Sequence, residues 1–200
     1  MKLLAFTDIH GSSISLNRLE QKIKSQKPDI IVCAGDISIF EHGLIGIMRK
    51  LNRLHSKIIM VHGNHEDEKN FKRLAKLFKN LKCIHNGFHT EGNFLFLGYG
   101  GDGFSVIDRK FEKISSSFRS IIKKNKEKKI ILVCHAPPYN TQLDKLVDGH
   151  CGNKSIRHFI EKNSISYVFC GHLHENFGKE DKIKKCNIIN PGPFWKILRI

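Results

Sequence analysis

The chain has 200 residues, 40% of them hydrophobic and 26% charged, and its 34 Lys and Arg outnumber its 19 Asp and Glu to give a formal net charge of +15. That length suits one ordinary domain, and the composition excludes a disordered or fibrous chain; no apolar run approaches the ~20 residues of a membrane span. A field of this sign attracts nucleotides, nucleic acid and other phosphates, although the Lys residues are scattered in a way that also suits plain solvated faces.

The opening MKLLAFTDIHG meets Asp8 and His10 before any small-residue cleavage site, so it reads as a first strand over residues 2–7 rather than a signal peptide, and the expected location is cytoplasmic. Leu16, Leu19 and Ile23 share one helical face, and Pro28 then breaks the chain ahead of a buried strand over 29–34. Leu44, Ile47, Met48, Leu51 and Leu54 give an amphipathic helix, 57–62 a strand, and Phe71, Leu74, Ala75 and Phe78 another helix. Strands over 82–85 and 93–98 follow, with turn residues between them, and then a helix with Phe111, Ile114, Phe118 and Ile121 on one face. The basic run at 123–129 reads as a helix end entering a turn, and it holds no aromatic ring to stack a base. A strand over 129–134, a helix through Ile156, Phe159 and Ile160, and strands over 166–170, 187–190 and 194–200 complete the chain. The last of these is a core strand or an edge open to another subunit, so the oligomeric state stays open.

Strand and helix alternate at the start, which predicts an α/β fold with a parallel core. The later strands, with no helices between them, predict a second and partly antiparallel sheet. There is no repeat, low-complexity segment or linker, so residues 1–200 are expected to form a single domain. The six Cys lack a CxxC, and Cys33, Cys134 and Cys170 end apolar runs as small core residues rather than as disulfide partners.

The chemistry gathers where strands end. Five strand ends carry Asp8-Ile9-His10, Gly35-Asp36, Gly63-Asn64-His65-Glu66, His135, and Gly171-His172-Leu173-His174. In open α/β sheets ligands bind beyond the carboxyl ends of strands. Asp8 and His10 lie two apart in an extended segment, as do His172 and His174, and such residues point to one side, so each pair aims two ligands into one cleft. The glycines before Asp36, Asn64 and His172 permit tight turns and close backbone approach. Carboxylate, imidazole and one amide oxygen together suit Mn²⁺, Fe or Zn²⁺ better than Ca²⁺, which prefers oxygen alone.

The fragments DIH, GDIS, GNHE, H and GHLH, in this order and each after an apolar strand, resemble the calcineurin-like metallophosphoesterase superfamily. The likeness covers essentially the whole chain, including an Asn190-Pro191-Gly192 turn. It implies a two-sheet α/β/β/α sandwich and two divalent cations, manganese foremost, with Fe, Zn, Ni or Co also admitted. By that pattern Asp8, His10 and His174 hold one metal, and Asn64, His135 and His172 the other. Asp36 bridges them, one oxygen to each, while His65 faces the substrate. The implied activity is hydrolysis of a phosphodiester, with monoesters as a second class, by a metal-bridged hydroxide with His65 as general acid. The implied substrate is a small phosphate ester or a nucleotide.

Departures narrow this. Ile37-Ser38-Ile39-Phe40 stands after Asp36 where the family's protein phosphatases carry Asp-Arg-Gly, which argues against phosphoproteins. Nucleases with this ligand pattern carry a further capping domain, so a compact phosphodiesterase is favoured; a nuclease or a cyclic-nucleotide phosphodiesterase is the alternative that the charge supports. A catalytically silent protein-binding scaffold is disfavoured, because every ligand position is filled. The long segment 136–152 is expected to reach over the metals, with Tyr139 and His150, beside Asn64, as substrate contacts. Glu66 and Asp67 are read as opening a helix, or as orienting His65. His62 reads as a strand-end histidine, and His42, His55, His85, His89 and His158 as surface or packed residues. Gly100, Gly101 and Gly103 form a turn without the Lys-Ser/Thr of a phosphate-binding loop.

Overall fold

In a computed structural model of the chain, which describes every residue except His55 and Asp102, the apolar runs form buried strands and the amphipathic runs form helices laid over them. The reading made for His55 lies outside the described residues. The first half alternates through β1 (Lys2–Phe6), α1 (Ser13–Gln26), β2 (Ile30–Cys33), α2 (Leu44–Asn52), β3 (Ile58–Met60), α3 (Glu68–Ala75) and β4 (Leu81–Cys83). Next come β5 (Gly87–Glu91), β6 (Phe94–Tyr99), α4 (Arg109–Lys124), β7 (Lys129–Cys134), β8 (Lys145–Leu146), β9 (Gly149–His150) and α5 (Lys154–Lys162). The chain ends through β10 (Ile165–Phe169), β11 (Glu180–Ile183), β12 (Cys186–Ile189) and β13 (Lys196–Arg199).

One sheet has the order β13-β1-β2-β3-β4, parallel except for β13, which runs antiparallel along the β1 edge. The other has the order β11-β12-β10-β7-β6-β5, with a parallel interior and antiparallel edge strands β5 and β11. Both faces of each sheet are buried, which is why the central strands read as unbroken apolar runs. Leu3, Ala5, Val32 and Val61 of the first sheet meet Phe96, Ile131, Val133 and Phe169 of the second to form the inner core. Leu4, Phe6 and Ile31 face outward onto Leu19, Met48 and Phe71 of the first three helices. Leu97, Ile130 and Leu132 face outward onto Phe111, Phe118 and Phe159 of α4 and α5. The layers are therefore α/β/β/α.

The short β8–β9 pair inside segment 136–152 was not expected, and neither were two edge strands. β5 and β11 are half-exposed edges whose sequences, GFHTE and EDKI, carry too little apolar patterning to announce them. All six cysteines are free. No helix of the described residues is long and apolar enough to cross a membrane.

Candidate metal centre

The carboxyl ends of β1, β2, β3, β7 and β10 open on one cleft, and each delivers a side chain that the motifs singled out. The local backbone is left-handed where the spacing predicts an extended one: Asp8 (φ 53), His10 (φ 48), Asp36 (φ 49) and His172 (φ 71) all have positive φ. It is these turns, not strand alternation, that aim paired ligands into the cleft. Each such residue costs about 1–3 kcal/mol and persists only where its surroundings over-determine it. Here they do: Asp8 N–H donates to Gly35 O and His10 N–H to Asp36 O, both at 3.0 Å.

Asp8, His10 and His174 form one donor group. His10 Nε2 lies 3.7 Å from Asp8 Oδ1 and 3.0 Å from His174 Nε2, and His174 Nε2 lies 3.6 Å from Asp8 Oδ1. The His172 N–H donates to both Asp8 oxygens at 3.2 Å, which ties the end of β10 to the end of β1. The His174 ring stacks on Phe177, centroid to centroid 4.8 Å.

Asn64, His135 and His172 form the other group. Asn64 Oδ1 lies 3.0 Å from His135 Nε2 and 2.9 Å from His172 Nδ1. His135 is wholly buried and donates Nδ1–H to Ala34 O at 2.9 Å, which presents Nε2 to the cleft. Between the groups sits Asp36, whose Oδ2 is 3.3 Å from His135 Nε2 and 3.8 Å from His10 Nε2. Its Oδ1 is engaged separately by His65 N–H at 3.0 Å. The glycines are close-contact residues: a Cβ at Gly63 would fall on the Asp36 carboxylate, and one at Gly171 on the Asp8 carboxylate.

The charges are strongly coupled. Burial opposes ionisation of Asp8, but the His10 and His174 imidazoles hold it well below the usual carboxylate range. Burial likewise opposes Asp36, and His135 holds it down. Burial opposes protonation of His135, yet Asp36 lifts it to about 9. Burial and the neighbouring His135 push His172 down to about 4. Facing ring nitrogens such as those of His10 and His174 are satisfied by a shared proton or a shared cation. A wholly N,O donor set with no thiolate fits divalent transition-metal ions.

Glu66 has a role that the sequence reading missed. It is buried and accepts from Asp36 N (3.2 Å), Gly63 N (2.9 Å), Ser38 N (2.9 Å) and Ser38 Oγ (2.8 Å). It therefore clamps the turns that carry Asp36 and Asn64, and among the described residues its carboxylate makes no hydrogen bond to His65. The helix-opening role belongs to Asp67, which caps α3. The one sequence signal for the clamp is a carboxylate following the GNH turn.

The segment 136–152 is held by buried Asp144, which accepts from Asn140 N, Thr141 N, Gly152 N and His150 Nδ1 at 2.7–3.0 Å. Tyr139 and His150 contact each other and this loop, with ring centroids 5.9 Å apart, and among the described residues no hydrogen bond or ring contact joins either to the seven donors. His62, Glu68 and His85 form a further cluster beside a cavity of about 900 Å³ that reaches Asn64. Two of its three members are engaged in hydrogen bonds, while His62 donates Nδ1–H to Gly63 O at 2.9 Å and leaves its buried Nε2 without a hydrogen-bond partner among the described residues. His85 Nδ1 accepts Gly100 N–H at 2.8 Å, which leaves the neutral ring's proton on Nε2, 3.4 Å from Glu68 Oε1. Glu68 Oε1 also takes Lys72 Nζ at 2.7 Å.

A family model described as calcineurin-like phosphoesterase matches residues 1–176, a span that contains all seven donors and His65. The chain belongs to the calcineurin-like phosphoesterase family. The chain is 32% identical over 206 residues to the uncharacterized protein MJ1162 of Methanocaldococcus jannaschii, across 96% of the chain and 88% of that protein. Its fold is similar to that of TT1561 from Thermus thermophilus, with a TM-score of 0.79 at 15% identity over 96% of this chain and 88% of that one. It is also similar to a dimetal phosphatase from Danio rerio, with a TM-score of 0.67 at 12% identity over 94% and 86% of the two chains. The fold and the family are those that the ordered motifs implied.

Proposed function

We propose that this phosphoesterase works as one domain and hydrolyses a phosphodiester, using two divalent cations held by the seven donors. The observation that carries the reading is the position of Asp36, whose Oδ2 faces His135 Nε2 at 3.3 Å and His10 Nε2 at 3.8 Å, so both donor groups share one carboxylate. Asp8, His10 and His174 would hold one cation, Asn64, His135 and His172 the other, and Asp36 both. Asp36 Oδ1 also accepts His65 N–H at 3.0 Å, which fixes the carboxylate between the two groups. Manganese is the first choice of ion, and the same donors admit Fe, Zn, Ni or Co. When bound, the cations supply Lewis-acid polarisation of the phosphoryl oxygens and make water nucleophilic at neutral pH.

The chain's own residues position the ester and handle its protons. The His65 ring lies 4.8 Å from the His10 ring, beside the first donor group. Phe40 N–H points at His65 Nδ1 at 3.4 Å, which places the neutral ring's proton on Nε2 as the donor for the departing oxygen. Full proton transfer to an alkoxide needs the cationic ring, whose Nδ1–H would oppose the Phe40 N–H, so that long contact must open. A nitrophenolate needs only the hydrogen bond. Among the described residues no Lys or Arg side chain hydrogen-bonds or ion-pairs with the seven donors. A monoester's second charge would have to reach Arg109, Lys110 or Lys113 on the wall of the cavity beside Asn64, whereas the singly charged diester needs no such partner.

The test is hydrolysis of bis-p-nitrophenyl phosphate against p-nitrophenyl phosphate, by chelated protein with and without added Mn²⁺. A manganese-restored rate that is higher on the diester supports the reading, and no manganese-dependent hydrolysis of either ester removes it.

A further inference from the structure

Two phenylalanines stand out of the surface at the two ends of the donor cluster. Phe40 is 70% exposed and Phe104 is 73% exposed. The Phe40 ring lies 4.5 Å from the His65 ring, which adjoins His10. The Phe104 ring lies 4.5 Å from the His172 ring, edge to face at 86°, and His172 adjoins His135. Each exposed phenyl thus touches an imidazole of the centre and leaves its remaining surface to solvent. Phe40 also holds a left-handed backbone (φ 45) that bulky residues avoid. The following residue, Glu41 (φ 64), fixes that turn by donating its N–H to His65 O and accepting from Asp67 N and Asn70 Nδ2. A turn braced in this way to expose a phenyl beside the reacting group is a feature that packing alone does not require.

The cavity that reaches Asn64 supplies the charge. Its rim carries Arg109, Lys110 and Lys113, and among the described residues none of the three forms an ion pair. The acidic residues on the same wall are engaged elsewhere. Glu68 holds Lys72, and Asp108 caps α4 through Lys110 N and Phe111 N and accepts from Tyr99 Oη. Unpaired cations running away from the centre match an anionic chain that continues past the phosphate being cut.

Resting on the phosphodiesterase reading, we propose that the substrate is single-stranded oligonucleotide. The scissile phosphate sits at the donor cluster, the bases on either side of it stack on Phe40 and Phe104, and a neighbouring phosphate meets the Arg109–Lys110–Lys113 rim. Stacking platforms with a basic track are how proteins hold single strands without reading sequence, and a duplex keeps its bases away from such rings. Phe40 lies with His65, so its base belongs to the departing nucleoside, while the Phe104 base belongs to the fragment that keeps the phosphate.

The experiment uses the manganese-loaded full chain and three substrates: methyl p-nitrophenyl phosphate, a short single-stranded oligodeoxynucleotide and the same sequence as a duplex. Phe40→Ala and Phe104→Ala should each lower the ratio of kcat/KM on the single strand to that on the small ester by roughly tenfold or more. With 2-aminopurine beside the cleavable linkage, each substitution should also remove the fluorescence quenching seen on stopped-flow mixing, before turnover. Lys110→Gln with Lys113→Gln should flatten the salt dependence of oligonucleotide binding by up to about 0.7 in log–log slope, the contribution of the one phosphate at that rim. Phe40→Leu and Phe104→Leu keep apolar bulk without a π face, so a loss that appears in them as well is a loss of stacking rather than of folding. Unchanged ratios and quenching in the Phe variants, or duplex cleaved as well as single strand, overturns the proposal. Hydrolysis of the small ester but of no oligonucleotide overturns it and leaves the phosphodiesterase reading standing, whereas no hydrolysis of any substrate removes that reading too.

Discussion

The Glu66 carboxylate accepts the backbone N–H of Asp36 at 3.2 Å and, through the same oxygen, the N–H of Gly63 at 2.9 Å. One buried side chain thereby locks the turn that carries the shared carboxylate to the turn that carries Asn64. In Glu66→Gln the amide NH₂ must face either these two N–H groups or the Ser38 N–H, which the other oxygen accepts at 2.9 Å. Stability should fall by about 1–3 kcal/mol in denaturant unfolding. Metal affinity should fall roughly 10–100-fold in a titration although no ligand has been removed. Unaltered affinity would mean that Glu66 does no more than fill space.

Gly63→Ala tests the same turn from the other side. The added methyl falls on the Asp36 carboxylate, in a place where backbone and side chain are both fixed. Destabilisation of about 1–3 kcal/mol is expected, together with less manganese per chain after dialysis. Wild-type metal content at wild-type stability would show that the two turns have room to spare.

Proton linkage gives a pH window. In the metal-free protein His135 is lifted from its ordinary 6.5 to about 9, chiefly by Asp36 acting against burial. A raised imidazole stabilises fully below its unfolded value, and the benefit is lost as pH rises through its folded value. Chelated protein should therefore lose about 3 kcal/mol between pH ~6.5 and ~9. His10, raised by Asp8, acts in the same direction. His172, pushed down to about 4, removes stability only as pH falls below 6.5, outside this window. A cation takes the neutral ring, so its uptake should release protons and tighten as pH rises across the same range. Unfolding midpoints of chelated protein that stay flat from pH ~6.5 to ~9 would contradict the assignment.

His65→Ala separates leaving groups. Losing the Nε2–H donor should lower kcat on an alkyl diester by roughly 10²–10⁴-fold and on a nitrophenyl diester much less. Equal losses on the two esters would take the acid role away from His65.

How far the sequence led depends on the kind of residue. Asp8, Asp36, Asn64, His135, His172 and His174 could be picked out because metal-type side chains are rare at the ends of apolar strands, and here five strand ends carry them in order. The spacing of Asp8 and His10 predicts an extended segment, and left-handed turns stand there instead. Such turns at non-glycine residues have no one-letter signature. β5 and β11 were illegible because an edge strand facing water needs little apolar pattern. Glu66 and Asp144 look like ordinary surface acids in sequence. Only the fold reveals that each is buried and collects backbone N–H groups from turns that are distant or irregular. Phe40 and Phe104 show the converse, since residues that composition assigns to a core lie in the open beside the centre.

The central claim is that two cations share Asp36, and an anomalous difference map from manganese-soaked crystals tests it most directly. The account predicts two peaks on either side of the Asp36 carboxylate, one among Asp8, His10 and His174 and the other among Asn64, His135 and His172. A cleft without peaks, or density only at the His62–Glu68–His85 cluster, would contradict it.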